Sequence, residues 1–398
     1  MAAKSLQRGD LEKRIQQRVG ERVRELRVAA GITTVVLAKQ AGISQGQLSK
    51  IENGKAALSV TVLARLCQLF DRPVGYLFQS LDEMPRVLGT LTTVKGPENA
   101  GIQWFAEEVR RISDGSLVLL PLRPSQIGSA AAQVDQLKDG LIDLFVEEPF
   151  YYATFVPGFN AFALPYAFDS ESHRRAFTDS DFFRERLIEP LRQTGIRIIN
   201  RRWNWRRGLE WVLAANQPVV TPGDLRGLKV RIVDSRLMRR FWRALGARPV
   251  AVAWADVSAA LRSGDIDVLP THRAHLFPLK FCRHMRFVSL LGDLPPVLSV
   301  AVNEARYQIL RPDVQNALLE ACDRAGDFFS EHIRQSEAEN ERLNIARFKA
   351  AYLKVDLDPW RAAVARVRGD LLAEGLLDAK TVAATAAAGP PIEGEPGQ

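Results

Sequence analysis

Arg231 closes the run Gly227-Leu228-Lys229-Val230, an apolar, strand-like setting in which an unpaired guanidinium is costly. It needs an anionic partner, either a neighbouring Asp or Glu or a ligand carboxylate. The planar guanidinium fork suits the second case, because its parallel donors match two carboxylate oxygens. His272, His275, Cys282 and His284 fall within thirteen residues and could bind a transition metal. The His-x-x-His pair lacks a partner at zinc-motif spacing, however, and Pro278 interrupts the run. Surface or pocket-lining histidines are therefore the expectation, with no metal and no cofactor. The chain has no Gly-rich phosphate loop, no Gly-x-Ser-x-Gly turn and no paired metal motif, so an enzyme is not expected.

The elements that must position these groups fall into two blocks. From about 11 to 80 the sequence reads as five short helices. Ile15, Val19, Val23 and Leu26 recur at helical spacing, and Gly31 ends that helix. Thr33-Thr34 caps a second helix, Gly42 allows a tight turn at positive φ, and Ser44 caps a third helix from Gln45 to Glu52. A fourth runs from about 59 to 70, and Pro73 opens a fifth ending near Phe78. Residues 81–85 read as a linker. From residue 86, strands (86–91, 117–120, 141–146, 196–200, 208–214, 228–233) alternate with helices (103–112, 236–245, 255–263), and a long helix fits 312–348. That alternation predicts an α/β body, 86–382, with largely parallel strands. Residues 383–398, alanine-rich and then Gly-Pro-rich, predict a disordered tail.

Charge separates the same blocks. Of a net charge of +8 over 398 residues, residues 1–83 carry +5 and the remaining 315 carry +3. A compact basic module on a nearly neutral body points to a polyanionic partner for that module alone. The charged N-terminus carries no signal-peptide pattern, and no apolar run is long enough to span a membrane. Three widely spaced cysteines, Cys67, Cys282 and Cys322, argue against a disulfide scaffold. The expectation is a cytoplasmic protein with no membrane partner.

The stretch Leu37-Ala38-Lys39-Gln40-Ala41-Gly42-Ile43-Ser44-Gln45-Gly46-Gln47-Leu48-Ser49-Lys50-Ile51-Glu52-Asn53-Gly54-Lys55 resembles the helix-turn-helix of the phage repressor (Cro/XRE) family. The resemblance implies that Gln45 reads a base edge in the major groove, with Gln47 and Lys50 as further readers. It implies that Ser44, Asn53 and Lys55 touch phosphate. Thr34-Val35-Val36 stands where the family often carries polar residues, which weakens a phosphate contact there, and Gly46 is unusual inside such a helix.

Residues 86–375 resemble the solute-binding proteins of TRAP transporters (DctP type). The stretches that carry this are Pro124-Ser125-Gln126-Ile127-Gly128, Gln136-Leu137-Lys138-Asp139-Gly140-Leu141-Ile142-Asp143, Phe162-Ala163-Leu164-Pro165-Tyr166-Ala167-Phe168, Asp224-Leu225-Arg226-Gly227-Leu228-Lys229-Val230-Arg231 and Ala260-Leu261-Arg262-Ser263-Gly264-Asp265-Ile266-Asp267. The resemblance implies a two-lobed periplasmic-binding-protein-like (type II) fold. It implies that Arg231 grips a ligand carboxylate and that Arg207 assists, unless its neighbour Arg206 is the inward one. Trp254 would wall the pocket, or be plain core, and Glu148 would touch polar ligand groups or be structural. Thr271 and Leu269 replace the usual Asn and Gln, so the polar end of the pocket should differ.

Together these readings give an all-α helix-turn-helix domain (11–80) joined to an α/β ligand-sensing body. The function expected is a transcriptional regulator, a homodimer on double-stranded DNA with a pseudo-palindromic operator, responding to a small organic acid. A body kept only for dimerisation, or a transporter solute-binding component, are the alternatives.

Overall fold

Caps and one close helix contact shape the N-terminal part of the chain. The computed structural model describes residues 8–70, 77, 86–91, 97–122, 128–208, 210–293 and 297–389. It divides into two compact units, Met1–Arg86 and Val87–Gln398. The first contains α1 (Arg8–Ala29), α2 (Thr34–Ala41), α3 (Gln45–Glu52) and α4 (Val60–Leu69). Thr33 Oγ1 accepts from Val36 N at the start of α2. Gly42, at φ 71°, ends α2 with its N–H returned to the Ala38 and Lys39 carbonyls. Val19, Val23, Leu37, Ala38, Leu48 and Leu66 close one small core. Gly20 lets α1 press against the end of α3, since a Cβ there would stand 2.0 Å from the Ile51 carbonyl oxygen. A buried fork reinforces that contact, with Arg27 Nε 2.7 Å from Glu52 Oε1 and Arg27 Nη2 3.1 Å from Glu52 Oε2. The helix expected from Pro73 to Phe78 and the linker at 81–85 lie outside the described residues, apart from the buried, helical Leu77.

The second unit is a two-lobed α/β body. One lobe holds a three-stranded sheet in the order β3 (Leu144–Glu147), β10 (Ser299–Asn303), β4 (Ile196–Ile198). A two-stranded sheet of β1 (Arg86–Leu91) and β2 (Leu117–Leu122) accompanies it. The helices Glu98–Ile112 and Pro312–Phe348 pack over this lobe. The long helix buries Val314, Ala317, Leu318, Ala321, Ala325, Phe329 and Ile333, a stripe at three- and four-residue spacing. Gly101 admits Phe329, whose ring carbon would lie 2.7 Å from a Cβ there.

The other lobe is a six-stranded sheet ordered β11 (Ala351–Lys354), β9 (Phe287–Asp293), β5 (Trp211–Ala215), β8 (Val268–His272), β6 (Lys229–Ile232), β7 (Arg248–Ala251). Its β5 is apolar throughout because both faces are covered. Leu213 and Ala215 join the core of Val230, Ile232, Trp242 and Trp360, while Val212 and Ala214 join that of Leu269, Phe281 and Val288.

Two expectations are corrected. The strands are mixed rather than largely parallel: β10 is antiparallel to β3 and β4, and β5 is antiparallel to β8 and β9. Of the strand pairs in the three- and six-stranded sheets, β11–β9, β6–β7 and β6–β8 run parallel. Strand–helix alternation implies parallel pairing when a crossover helix returns the chain to the same sheet. Here the chain changes lobes between β4 and β5, and again between β9 and β10. The tail at 383–398 is also not wholly irregular, because residues 383–387 complete the helix Ala379–Ala387. Asp378 Oδ2 accepts from Thr381 N at 2.8 Å to cap it, and His173 Nε2 donates to the Thr385 carbonyl at 2.7 Å. The alanine run is a strong helix former once capped and packed. Residues 390–398 lie outside the described residues. Among the described residues, no helix is long and apolar enough to cross a membrane.

Candidate ligand pocket and nucleic-acid interface

On the first unit, α3 turns Leu48 and Ile51 inward and leaves Ser44, Gln45, Gln47, Lys50, Asn53 and Lys55 exposed. All six expected DNA-contacting residues therefore share the open side of one helix and its ends. Four of them make local side-chain hydrogen bonds. Ser44 Oγ accepts from Gln47 N at 3.1 Å, and Gln47 Oε1 accepts from Ser44 N at 3.0 Å, a reciprocal capping box. Gln47 would have to leave that cap to read a base with its side-chain amide. Gln45 Nε2 reaches only Thr34 Oγ1, at 3.4 Å, and Asn53 Nδ2 donates to the Ser49 carbonyl at 2.7 Å. A Cβ at Gly46 would meet nothing within 4 Å, so the backbone there lies open to an approaching surface. Val35 and Val36 are exposed at the start of α2.

In the body, a cavity of about 750 Å³ is lined by residues of both lobes, including Glu147, Glu148, Arg207, Arg231, Trp254, Thr271, His272 and His275. Arg231 is placed by the alternation of β6, whose Val230 and Ile232 turn into the core. Its Nε donates to the Val252 carbonyl at 3.0 Å, and the guanidinium lies 5.3 Å from the centre of the Trp254 ring. Among the described residues it forms no ion pair. Burial pushes its pKa down, only partly opposed by Tyr151, Glu148 and Glu147. Trp254 is wall and core at once, facing the cavity while its ring meets Phe281 edge-on at 5.7 Å.

Arg207 also lines the cavity. It is the inward residue of the pair, for Arg206 turns to Glu171, with Nε 2.5 Å from Oε1. Arg207 is enclosed by carboxylates. Nη1 lies 2.6 Å from Glu148 Oε1, Nη2 2.9 Å from Glu147 Oε1 and Nε 3.0 Å from Glu98 Oε1. A ligand carboxylate would have to displace one of them. The network reaches the second lobe, where His272 Nε2 stands 3.0 Å from Glu148 Oε1, and His275 bonds Glu98 through Nε2 and Thr271 Oγ1 through Nδ1 at 3.2 Å. Burial pushes His272 down to about 4, against the pull of Glu148. Burial alone would raise Glu148, but the His272 hydrogen bond and the Arg207 charge outweigh it and hold Glu148 near 2.

The histidine–cysteine run thus separates. His272 and His275 enter the glutamate network, while Cys282 sits in the apolar core with Phe281 and Met285, its thiol pushed up to about 12 by burial. Among the described residues, no group of three or more His, Cys, Asp or Glu side chains is placed to hold a metal ion. Sequence reading missed Glu98, Glu147 and the second aromatic wall, Trp211 and Trp242. The signals were present: a Glu147-Glu148 doublet ends an apolar strand, and Glu98 shares a helix face with Ile102 and Phe105.

Residues 88–373 match the bacterial extracellular solute-binding proteins of family 7 (DctP), and residues 18–75 match a helix-turn-helix domain. The 2,3-diketo-L-gulonate-binding periplasmic protein YiaO of Escherichia coli K12 is 26% identical over 71% of this chain and 84% of its own. Among solved structures, a TRAP periplasmic solute-binding protein from Shewanella oneidensis with bound succinate aligns with TM-score 0.69 and 17% identity, over 77% of this chain and 100% of its own. One from Sulfitobacter with bound β-D-galacturonate aligns with TM-score 0.68 and 20% identity, over 75% and 98%.

Proposed function

Since the chain belongs to the bacterial extracellular solute-binding proteins of family 7 and carries a helix-turn-helix domain ahead of that body, we propose that it is a DNA-binding transcriptional regulator that senses a small carboxylate. The observation that carries the reading is Arg231, a guanidinium held at the cavity wall with no ion pair among the described residues. A partly buried cation without an anion is costly, and a ligand carboxylate supplies the missing charge with matching geometry. Relatives of this body bind succinate, β-D-galacturonate and 2,3-diketo-L-gulonate, all acids. The exposed face of α3 supplies the DNA contacts, with Gln45 and Lys50 reading bases and Ser44, Asn53 and Lys55 holding phosphates. Gly46 and the local backbone lie close against the duplex.

Two copies of the chain bind two half-sites of a pseudo-palindromic operator in the cytoplasm, because one such module binds weakly. The ligand acts by preferring one arrangement of the lobes over another, which shifts the population of DNA-competent dimers. The test is operator binding by fluorescence anisotropy, on a fragment selected from genomic DNA by the purified protein. A carboxylate that stabilises the protein is expected to change operator affinity about tenfold, an ordinary allosteric coupling. A ligand that binds the body and leaves operator affinity unchanged refutes the sensing role.

A further inference from the structure

Solved relatives hold succinate, a dicarboxylate, β-D-galacturonate, a hydroxylated sugar acid, and (S)-2-acetolactate, a small hydroxylated monocarboxylate. This pocket has a different chemistry, and we propose that it takes a monocarboxylate with a bulky apolar, ring-bearing body. The inference rests on the sensing role proposed above and narrows its ligand.

Charge is the first argument. Among the described residues, three arginines line the cavity. Arg207 is enclosed by Glu98, Glu147 and Glu148. Arg174 is buried and ion-paired to Glu171. Arg231 is the one lining arginine with no ion pair among the described residues. One uncommitted guanidinium matches one carboxylate. Among the described lining residues a second ligand carboxylate would find no open cation, and it would face Glu147 and Glu148, which with Glu98 outnumber the single Arg207 they share. Like charges in a partly dehydrated site repel strongly.

Hydrogen-bonding capacity is the second argument. A sugar acid needs a polar partner for each hydroxyl. Thr271 is committed to His275, and Gln133 Nε2 donates to the Gly128 carbonyl at 2.5 Å. Among the described lining residues, the buried side-chain polar atoms without a partner are Gln133 Oε1 and His272 Nδ1, fewer than the hydroxyls of a sugar acid. The surface is instead aromatic: Trp254 stands beside Arg231, and Tyr151, Phe162, Phe168, Trp211 and Trp242 supply further faces. Trp211 and Trp242 lie nearly parallel, ring centres 6.3 Å apart, so one flat face backs another. Hydroxyls against such walls lose water without replacement, whereas a ring gains both burial and stacking. At about 750 Å³ the cavity also far exceeds what a four-carbon diacid fills.

Isothermal titration calorimetry on the full-length protein tests this with 3-phenylpropionate, indole-3-propionate, tryptophan, succinate and D-galacturonate. The expected result is that the two ring-bearing monocarboxylates bind at least about 100-fold tighter than succinate and galacturonate. Arg231→Ala should abolish that binding. Arg231→Lys, which keeps the charge and so guards against a folding artefact, should weaken it at least about tenfold. Trp242→Ala should weaken indole-3-propionate. Tighter binding of succinate or galacturonate overturns the ligand class and leaves carboxylate sensing standing. Tighter binding of tryptophan than of indole-3-propionate also overturns it, because the glutamates would then be holding an ammonium. Binding by none of the five overturns this inference, and if a broader acid panel also fails in thermal shift, the sensing role falls with it.

Discussion

At the residue scale the pocket contains two arginines with opposite energetics. Arg207 is surrounded by charges it neutralises, so removing it strands Glu98, Glu147 and Glu148 in a buried site. Arg207→Met is expected to destabilise the body by about 3–5 kcal/mol in urea unfolding. Arg231 is a cation held without an anion, so Arg231→Met should leave the ligand-free protein as stable as before or more so, while abolishing any carboxylate-induced rise in Tm. A loss of stability comparable to Arg207→Met would show that Arg231 is structural. His272 gives a pH signature. Its folded pKa of about 4 lies below the ordinary value of about 6.5. Between these, the unfolded chain binds a proton that the folded chain refuses, so stability falls as the pH drops through that window, by up to about 3 kcal/mol. Glu148 adds a lower window: its depressed pKa contributes stability above the unfolded value of about 4.3, lost as the pH falls toward 2. Unfolding curves measured from pH 7 to 3 should show both losses, and His272→Gln should remove the upper one and also shrink the lower one, because His272 is one of the groups that depress Glu148.

At the scale of elements, α3 depends on what stands at its two ends. Its start is the Ser44–Gln47 capping box, and its end is pinned to α1 through Gly20 and the Arg27–Glu52 fork. Gly20→Ala drives a methyl into the Ile51 carbonyl. It should cost this small unit more than about 2 kcal/mol, read as selective loss of its helical signal on heating while the body's transition stays in place. Gln45→Ala and Gln47→Ala make an informative pair. Gln45→Ala should relax base preference without changing stability. Gln47→Ala should cost about 0.5–1 kcal/mol through the cap, with little effect on base preference. The reverse pattern would make Gln47 the base reader. In the body, the long helix covers the first lobe through Phe329 and Ile333, while Phe328 stacks on Trp104 at 5.0 Å and stays partly exposed.

At the scale of the whole molecule, a basic helical unit and a nearly neutral ligand-binding body imply two different responses to salt. If the proposed function holds, operator affinity rests on phosphate contacts and counterion release and should fall by about 10³-fold or more between 50 and 200 mM salt. Affinity for a carboxylate held in a partly buried pocket should change by no more than about twofold over the same range, because such pairs are screened far less. Parallel salt slopes for the two ligands would contradict this division of labour.

Much of this organisation was legible in the sequence, for a physical reason. Caps, the Gly42 turn, the apolar stripe of 312–348 and the exposed face of α3 are local: each follows from residues a few positions apart. The two-lobed α/β body followed from the resemblance, and the position of Arg231 in a strand followed from pattern. Strand direction did not, because alternation is silent about a chain that changes lobes between strands. Nor did the fate of each charge. Arg207 and Arg231 are both arginines in the body, and only the fold brings Glu98, Glu147 and Glu148 around one and Trp254 beside the other. Pairing depends on residues more than a hundred positions apart meeting within 3 Å, as Glu98 and Arg207 do. Sequence fixes which charges exist, and tertiary structure decides which of them remains for a ligand.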